Sequence, residues 1–231
     1  MAAAGDELPC TPEQANYIRN VLRLSNAEKI LTFNGSDGEW RAEICLQGKR
    51  ACTLKLIEQV RGQTGGPDLE YLFAPLKRER LDYMVQKATE LGVATLRPVY
   101  TQHTVAERVN LERMRSNVIQ AAQQCGVLRL PEIHEPAKLS AALETWDTER
   151  YLIFADENAD VTSPLETLKD IKGSKLAVLI GPEGGFSEHE RSLLTQHPHV
   201  ISISLGPRIM RADTAAVAVL ALVNAAAGDW R

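Results

Sequence analysis

Leu179-Ile-Gly-Pro-Glu-Gly-Gly-Phe-Ser187 is the stretch from which the fold can be read. It begins inside a short apolar run, Leu176 to Ile180, of a length that suits a buried strand. It ends where Ser187-Glu-His-Glu190 forms a capping box, the mark of a helix start. Strand, glycine-proline loop and helix in that order make a βα junction. In a parallel α/β sheet, ligands bind outside the carboxyl ends of strands, where such loops lie. Gly181, Gly184 and Gly185 allow backbone to approach a ligand, and Pro182 stiffens the turn. The loop has neither the Gly-Lys-Ser/Thr ending of a phosphate loop nor G-x-G-x-x-G spacing, which argues against phosphate binding. A tight structural turn accounts for the same residues.

The arrangement recurs downstream. Val200 to Leu205 reads as a strand, followed by Leu205-Gly-Pro-Arg-Ile-Met-Arg-Ala-Asp-Thr214. Asp213 is expected to cap a last helix that reaches Ala227 and stops at Gly228. Arg208 and Arg211 then sit on a short loop at the same sheet edge. Upstream, strands are expected at 69–74, 93–99 and 151–155, with helices over 80–91 and 110–124 and another starting at Ser163-Pro164. Leu81, Met84, Val85, Ala88 and Leu91 form the apolar face of the first. Strands alternating with helices imply a parallel α/β sheet.

The first third of the chain has a different rhythm. Thr11-Pro-Glu-Gln14 starts a helix expected to run to about Leu24. Alternating segments at 29–34, 39–44 and 51–60, separated by turns at Asn34–Gly38 and Gln47–Gly48, read as strands. No strand is expected before the first helix, in Met1 to Cys10. Arg61-Gly-Gln-Thr-Gly-Gly-Pro67 is the best linker, so the expected domains are 1–66 and 67–231.

Bulk properties exclude several classes. The 231 residues are 44% apolar and 24% charged, an ordinary globular composition. The four cysteines form no CxxC pair, and no metal site or disulfide framework is suggested. With no secretory segment, and with an apolar run at Ala215 to Val223 too short for a bilayer, the expectation is a cytoplasmic protein. Net charge is −4, but residues 75–131 carry 9 Lys+Arg against 5 Asp+Glu. Such a basic segment suits phosphate; a solvated mixed-charge surface accounts for it too. Lys77, Arg78 and Arg80 cluster at a strand-to-helix junction, a natural anion site. Lys87 and Glu90 are spaced for a surface ion pair. Gln123 and Gln124 end a helix, where amides can read a base edge or cap carbonyls; Cys125 reads as a buried small apolar residue and not as a nucleophile.

Taken together these segments resemble the RsmE family of ribosomal RNA uracil-N3 methyltransferases. The resemblance rests on Asn20-Val-Leu-Arg-Leu24, Phe33-Asn-Gly35, Gln86-Lys-Ala-Thr-Glu-Leu-Gly-Val93, Ile180-Gly-Pro-Glu-Gly-Gly185 and Leu205-Gly-Pro-Arg-Ile-Met-Arg211. It implies an N-terminal PUA-like β-barrel followed by a SPOUT α/β domain with a deep trefoil knot, although chains otherwise avoid threading. It implies a homodimer, S-adenosyl-L-methionine as methyl donor, and N3 of a uridine in 16S ribosomal RNA of the small subunit as acceptor. The residues carried over for the donor are Phe154, Ala155, Leu179, Ile180, Gly181, Glu183, Gly184, Gly185, Ser204, Leu205, Gly206, Ile209, Met210 and Arg211. Those for RNA are Arg19, Arg23, Lys77, Arg78, Arg80, Lys87, Gln124 and Arg129. Arg211 and Asp213 are the catalytic candidates, with Glu183 or solvent as other possible bases. The chain departs from the family pattern at Ala212-Asp213, where Thr-Glu is common, and at Val127, where an arginine often stands. A ribose 2′-hydroxyl methyltransferase of the same fold and a non-catalytic RNA-binding protein are the alternatives.

Overall fold

The computed structural model describes residues 1–48, 50–160, 163–169, 171 and 175–230. The chain divides into two compact units, Met1–Gly65 and Gly66–Arg231.

In the first unit, strands β1 (Glu7–Pro9), β2 (Lys29–Phe33), β3 (Glu39–Gln47) and β4 (Ala51–Arg61) form an antiparallel sheet in the order β1-β4-β3-β2. The amino terminus thus supplies a strand that periodicity did not reveal. It is three residues long and ends on Pro9, whose missing N–H is tolerated because β1 is an edge strand. Helix α1 (Pro12–Asn16) has the expected capping box between Thr11 and Gln14. It passes into a π-helical turn, Tyr17–Val21, and stops short of Leu24. The stop has no glycine signal, because Arg23 itself takes the left-handed conformation, at φ 56°. Leu22 N–H and Leu24 N–H close back on the carbonyls of Tyr17 and Ile18. Ala15, Ile18, Ile44 and Cys52 form the core that holds helix to sheet.

The second unit is a parallel sheet with helices on both faces. Its strands are β5 (Leu69–Phe73), β6 (Thr95–Tyr100), β7 (Glu132–Ile133), β8 (Ala137–Lys138), β9 (Arg150–Ala155), β10 (Lys175–Ile180) and β11 (Val200–Ile203). The order is β11-β9-β10-β5-β6-β7, with β8 also on β6. The expected strands are present, β6 starting two residues late. The two-residue strands β7 and β8 and the short helix α4 (Leu139–Glu144) lie below the length that periodicity can resolve. Helices α2 (Arg78–Glu90), α3 (Leu111–Cys125), α5 (Pro164–Leu168) and α7 (Ala212–Ala227) occupy one face; α4 and α6 (Glu188–Gln196) the other.

Strand residues alternate between the two cores. Tyr71, Phe73, Ile153, Val178 and Ile180 pack with Met84, Val85, Val118, Val219 and Leu220 on the α2–α3–α7 side. Leu72, Leu152, Phe154, Ala177 and Leu179 face Leu139, Trp146 and Leu194 on the other. Burial on both faces is why these strands read as continuous apolar runs. Among the described residues no helix is long and apolar enough to cross a membrane.

Candidate functional site

Three loops, after β9, β10 and β11, meet at the carboxyl end of the sheet. They bound a cavity of about 500 Å³ with the start of α7, within the size range of small-molecule sites. The convergence follows from strand order: β9 lies between β10 and β11, so all three loops are neighbours.

The β10 loop is the most constrained. A side chain on Gly181 would place its Cβ 2.5 Å from the Phe186 ring. That ring packs edge-on against Phe154, centroids 5.1 Å apart, and both rings line the cavity. Ser187 and Glu190 form the expected capping box of α6, and Glu190 also accepts a 2.8 Å bond from Gln102 N–H. His103 Nδ1–H donates to the carbonyls of Gly184 and Gly185 at 3.0 and 3.2 Å. The segment after β6 therefore clamps the loop from outside.

The β9 loop is held by an ion pair. Asp156, on the cavity wall, is buried and accepts from Arg191 of α6 through Nε (3.1 Å) and Nη2 (2.9 Å). Asp156 also accepts from Asn158 N–H at 3.0 Å, and Arg191 donates to the Asn158 carbonyl at 3.3 Å. The Asp156 carboxylate raises the Arg191 pKa further. Glu157 is left exposed at the cavity.

In the β11 loop, Gly206 has φ +100°, and a Cβ there would meet nothing within 4 Å. This glycine is required by backbone conformation, and the space in front of it is open. Ile209 is 88% exposed at the tip. Arg211 is exposed, lines the cavity and is the N-cap of α7, with no side-chain cap bond. The expectation that Asp213 caps this helix is corrected: the helix starts at Ala212, so Asp213 lies inside its first turn. There it accepts from Thr214 N–H at 3.0 Å and complements the helix dipole.

Of the residues expected at the donor site, Phe154, Ala155, Ile180, Gly181, Glu183, Gly185, Leu205, Gly206, Ile209, Met210 and Arg211 line the cavity. Three do not. Leu179 is buried in the core on the α4–α6 side, Gly184 abuts His103, and the Ser204 hydroxyl accepts from Gly206 N–H inside its loop. Asn158, Phe186, Arg191, Ala212 and Ala215 also line it, though none was expected at the donor site. Phe186 lies within the Leu179–Ser187 stretch; Arg191 could be found only by knowing that α6 brings it to Asp156, just after β9. Asp213 is not on this lining. It borders a separate hollow with Tyr83, Thr214, Val217 and Ala218. Burial, and then the Asp213 charge, push the Tyr71 phenol well above its usual pKa.

The expected RNA residues are dispersed. Lys77 and Arg78 are exposed at the start of α2. Arg80 pairs with Glu183 of the β10 loop at 3.0 Å. Lys87 pairs with Glu90 at 2.8 Å, which raises its pKa, and sits 5.6 Å over the Tyr83 ring. Gln124 is exposed. Arg129 donates to the carbonyls of Gly66 and Pro67, fastening the strand entry. In the first unit, Arg19 donates to the carbonyls of Gly48 and Ala51, tying the π turn to the β3–β4 connection, and Arg23 is exposed.

Comparison with known proteins adds to this geometry. An RNA methyltransferase domain family matches residues 65–224, and an RNA methyltransferase PUA domain family matches residues 11–57. The ribosomal RNA small subunit methyltransferase E of Rickettsia conorii is 32% identical over 210 residues, 90% of this chain and 85% of that protein. The Bacillus subtilis protein of the same name is 27% identical over 93% of this chain and 88% of its own. A Legionella pneumophila structure with bound cofactor SAM is 29% identical, with a TM-score of 0.86 over 99% of this chain and 96% of that one. The Neisseria gonorrhoeae ribosomal RNA small subunit methyltransferase E, 23% identical, shares the fold at a TM-score of 0.85 over 100% of this chain and 96% of its own. A sheet-edge cavity built from three loops, the two domain matches and relatives spanning nearly the whole chain lead to one assignment: this chain belongs to the ribosomal RNA small subunit methyltransferase E family.

Proposed function

We propose that the protein methylates N3 of a specific uridine in 16S ribosomal RNA, with S-adenosyl-L-methionine as donor. The observation that carries the reading is the cavity of about 500 Å³ at the carboxyl ends of β9, β10 and β11. Its lining fits the donor. Open space in front of Gly206 leaves room beside the backbone, and Phe154, Phe186, Leu205 and Met210 supply apolar walls. Glu157, exposed on the cavity and in no ion pair among the described residues, supplies negative charge for a cationic ligand. When bound, the donor supplies an electrophilic methyl carbon.

The chain's own residues then have two tasks. They align N3 with that carbon, and they manage the N3 proton, because neutral uracil N3 has no free lone pair. We assign to Arg211 the stabilisation of charge spreading onto O2 and O4, since it is exposed, fixed at a helix start and on the cavity. Two carboxylates are candidates for the proton: Glu183, on the cavity but paired with Arg80, and Asp213, which borders the neighbouring hollow. Glu183→Gln and Asp213→Asn, compared in single-turnover methylation, separate them. Because the base lies in folded RNA, it must be splayed out to be reached.

Four further parts belong to the same reading. The chain beyond β9 forms a deep trefoil knot of the SPOUT kind; support comes from β11 pairing with β9 and not with β10. The protein is a cytoplasmic homodimer built partly on α7, whose sole charged residue is Asp213. Light scattering that gives a monomer at micromolar concentration would reject the dimer. RNA is held through Lys77, Arg78 and Arg80 and the PUA domain. The substrate is the assembled small subunit. Nucleoside mass spectrometry of 16S ribosomal RNA extracted from small subunits incubated with protein and donor tests the whole: 3-methyluridine is expected, and a 2′-O-methylated nucleoside or no product would overturn it.

A further inference from the structure

A second hollow, of about 370 Å³, lies where β5 gives way to α2, lined also by the segment after β6 and the start of α3. Its polar lining is unusual for a chain of net charge −4. Lys77, Arg78, Arg108 and Arg113 meet there with a single acid, Asp82. That acid is already committed. Arg113 Nε donates to both Asp82 oxygens, at 2.8 and 2.9 Å, and Asn117 Nδ2 donates to Oδ1 at 2.7 Å. The Arg113 guanidinium holds the Asp82 carboxyl below its usual pKa, so the pair stays ionised and closed on itself. Arg78 adds to the field that holds Asp82 ionised, but among the described residues no direct ion pair engages Lys77, Arg78 or Arg108. They come from separate segments, yet line one hollow. Leu76, Leu81 and Met114 form a buried apolar floor beneath them. Arg80 is not part of this group, being turned to Glu183 of the β10 loop.

We infer that this hollow is a phosphodiester subsite, which seats one nucleotide of the RNA strand flanking the target, its phosphate on Lys77, Arg78 and Arg108 and its ribose on the apolar floor. Several observations favour a nucleotide over a diffuse ion cloud. The cations surround a concave space of ligand size. Their one acidic neighbour is hydrogen-bonded and neutralised mainly from the α3 side, by Arg113. The N-terminal end of the 13-residue helix α2 opens into the same space, adding N–H groups and a dipole that favour an anion. The inference rests on RNA being the substrate and narrows how it is held: Arg108 becomes a contact, while Arg80 is assigned to the donor side.

The test is RNA affinity as a function of salt, using a 16S ribosomal RNA fragment, for the full chain and for Arg108→Gln and Arg78→Gln. Both side chains are exposed, so folding is retained. Each lost phosphate contact should flatten the slope of log affinity against log salt by about 0.7. In methylation, the loss should fall on KM for RNA and not on kcat. Arg115→Gln, exposed on α3 and outside the hollow, should leave slope and KM unchanged. Wild-type slope and KM in both Arg108→Gln and Arg78→Gln would overturn the subsite. So would loss of inorganic phosphate binding in these variants with an unchanged RNA slope, since the hollow would then serve a free anion. If Arg108→Gln and Arg78→Gln flatten the salt slope but the parent protein methylates no uridine, the subsite stands and the proposed reaction falls.

Discussion

Arg191→Gln offers a quantitative test of how the cavity is kept in shape. Arg191 is remote from the β9 loop in sequence, yet donates to Asp156 through both Nε, shared between the two carboxylate oxygens, and Nη2, and to the Asn158 carbonyl. In the ion pair the Asp156 side chain is 3% exposed and that of Arg191 40% exposed. Breaking a fully buried pair by removing one partner costs about 3–5 kcal/mol. Water can reach the Arg191 side of this pair, and Asp156 keeps its bond from Asn158 N–H. The lower figure for charged hydrogen bonds is therefore appropriate, about 2 kcal/mol. Asp156 and Asn158 lie on the cavity wall, so the cost should appear where the loop must be ordered, in donor binding. At about 1.4 kcal/mol per tenfold, this predicts roughly thirtyfold weaker affinity. Calorimetry with S-adenosylmethionine reads it directly. Adding Asp156→Asn removes the uncompensated charge and should recover part of the loss. Donor affinity within threefold of the parent in a folded Arg191→Gln protein would refute the argument that this pair shapes the cavity.

Arg211→Ala should lower single-turnover methylation by roughly 10²–10³ at saturating RNA and donor, the scale of a lost oxyanion donor. Arg211→Lys should rescue it only partly, since a point charge does not reproduce a planar fork; a near-wild-type rate in the alanine variant would remove Arg211 from the chemistry. His103→Ala removes the donor to the Gly184 and Gly185 carbonyls, at a cost of about 0.5–1.5 kcal/mol. Donor affinity should fall several-fold with little change in melting temperature, and an equal loss of both would make His103 merely structural. Asp82→Asn should lower stability at neutral pH and flatten its acid dependence. The folded-state pKa of Asp82 is depressed, so its contribution is complete above the unfolded carboxyl value and is lost as pH falls through the folded one. Parallel stability-versus-pH curves for parent and variant, measured by urea unfolding between neutral and acid pH, would contradict this.

Local chemistry was legible in the chain. Two capping boxes, Thr11 with Gln14 and Ser187 with Glu190, form as the spacing requires. The runs at Leu69, Tyr151 and Leu176 became strands buried on both faces, and the glycine-proline loops lie beside the cavity. These features depend on contacts within a few residues, which sequence records directly. What lay beyond reach depends on which segments become neighbours. Strand pairing decides that β9 lies between β10 and β11, and so brings Asp156 to Arg191 and the β9 loop to the other two. Pairing with β4 makes a strand of Glu7–Pro9, a segment with no periodic signal of its own. At α7, starting the helix at Ala212 instead of after Asp213 turns that carboxylate away from the cavity. Side-chain direction on a helix rotates by about 100° per residue, with 3.6 residues to a turn. A motif can therefore bring Arg211 and Asp213 to one place in the chain, while only tertiary structure decides which hollow each of them faces.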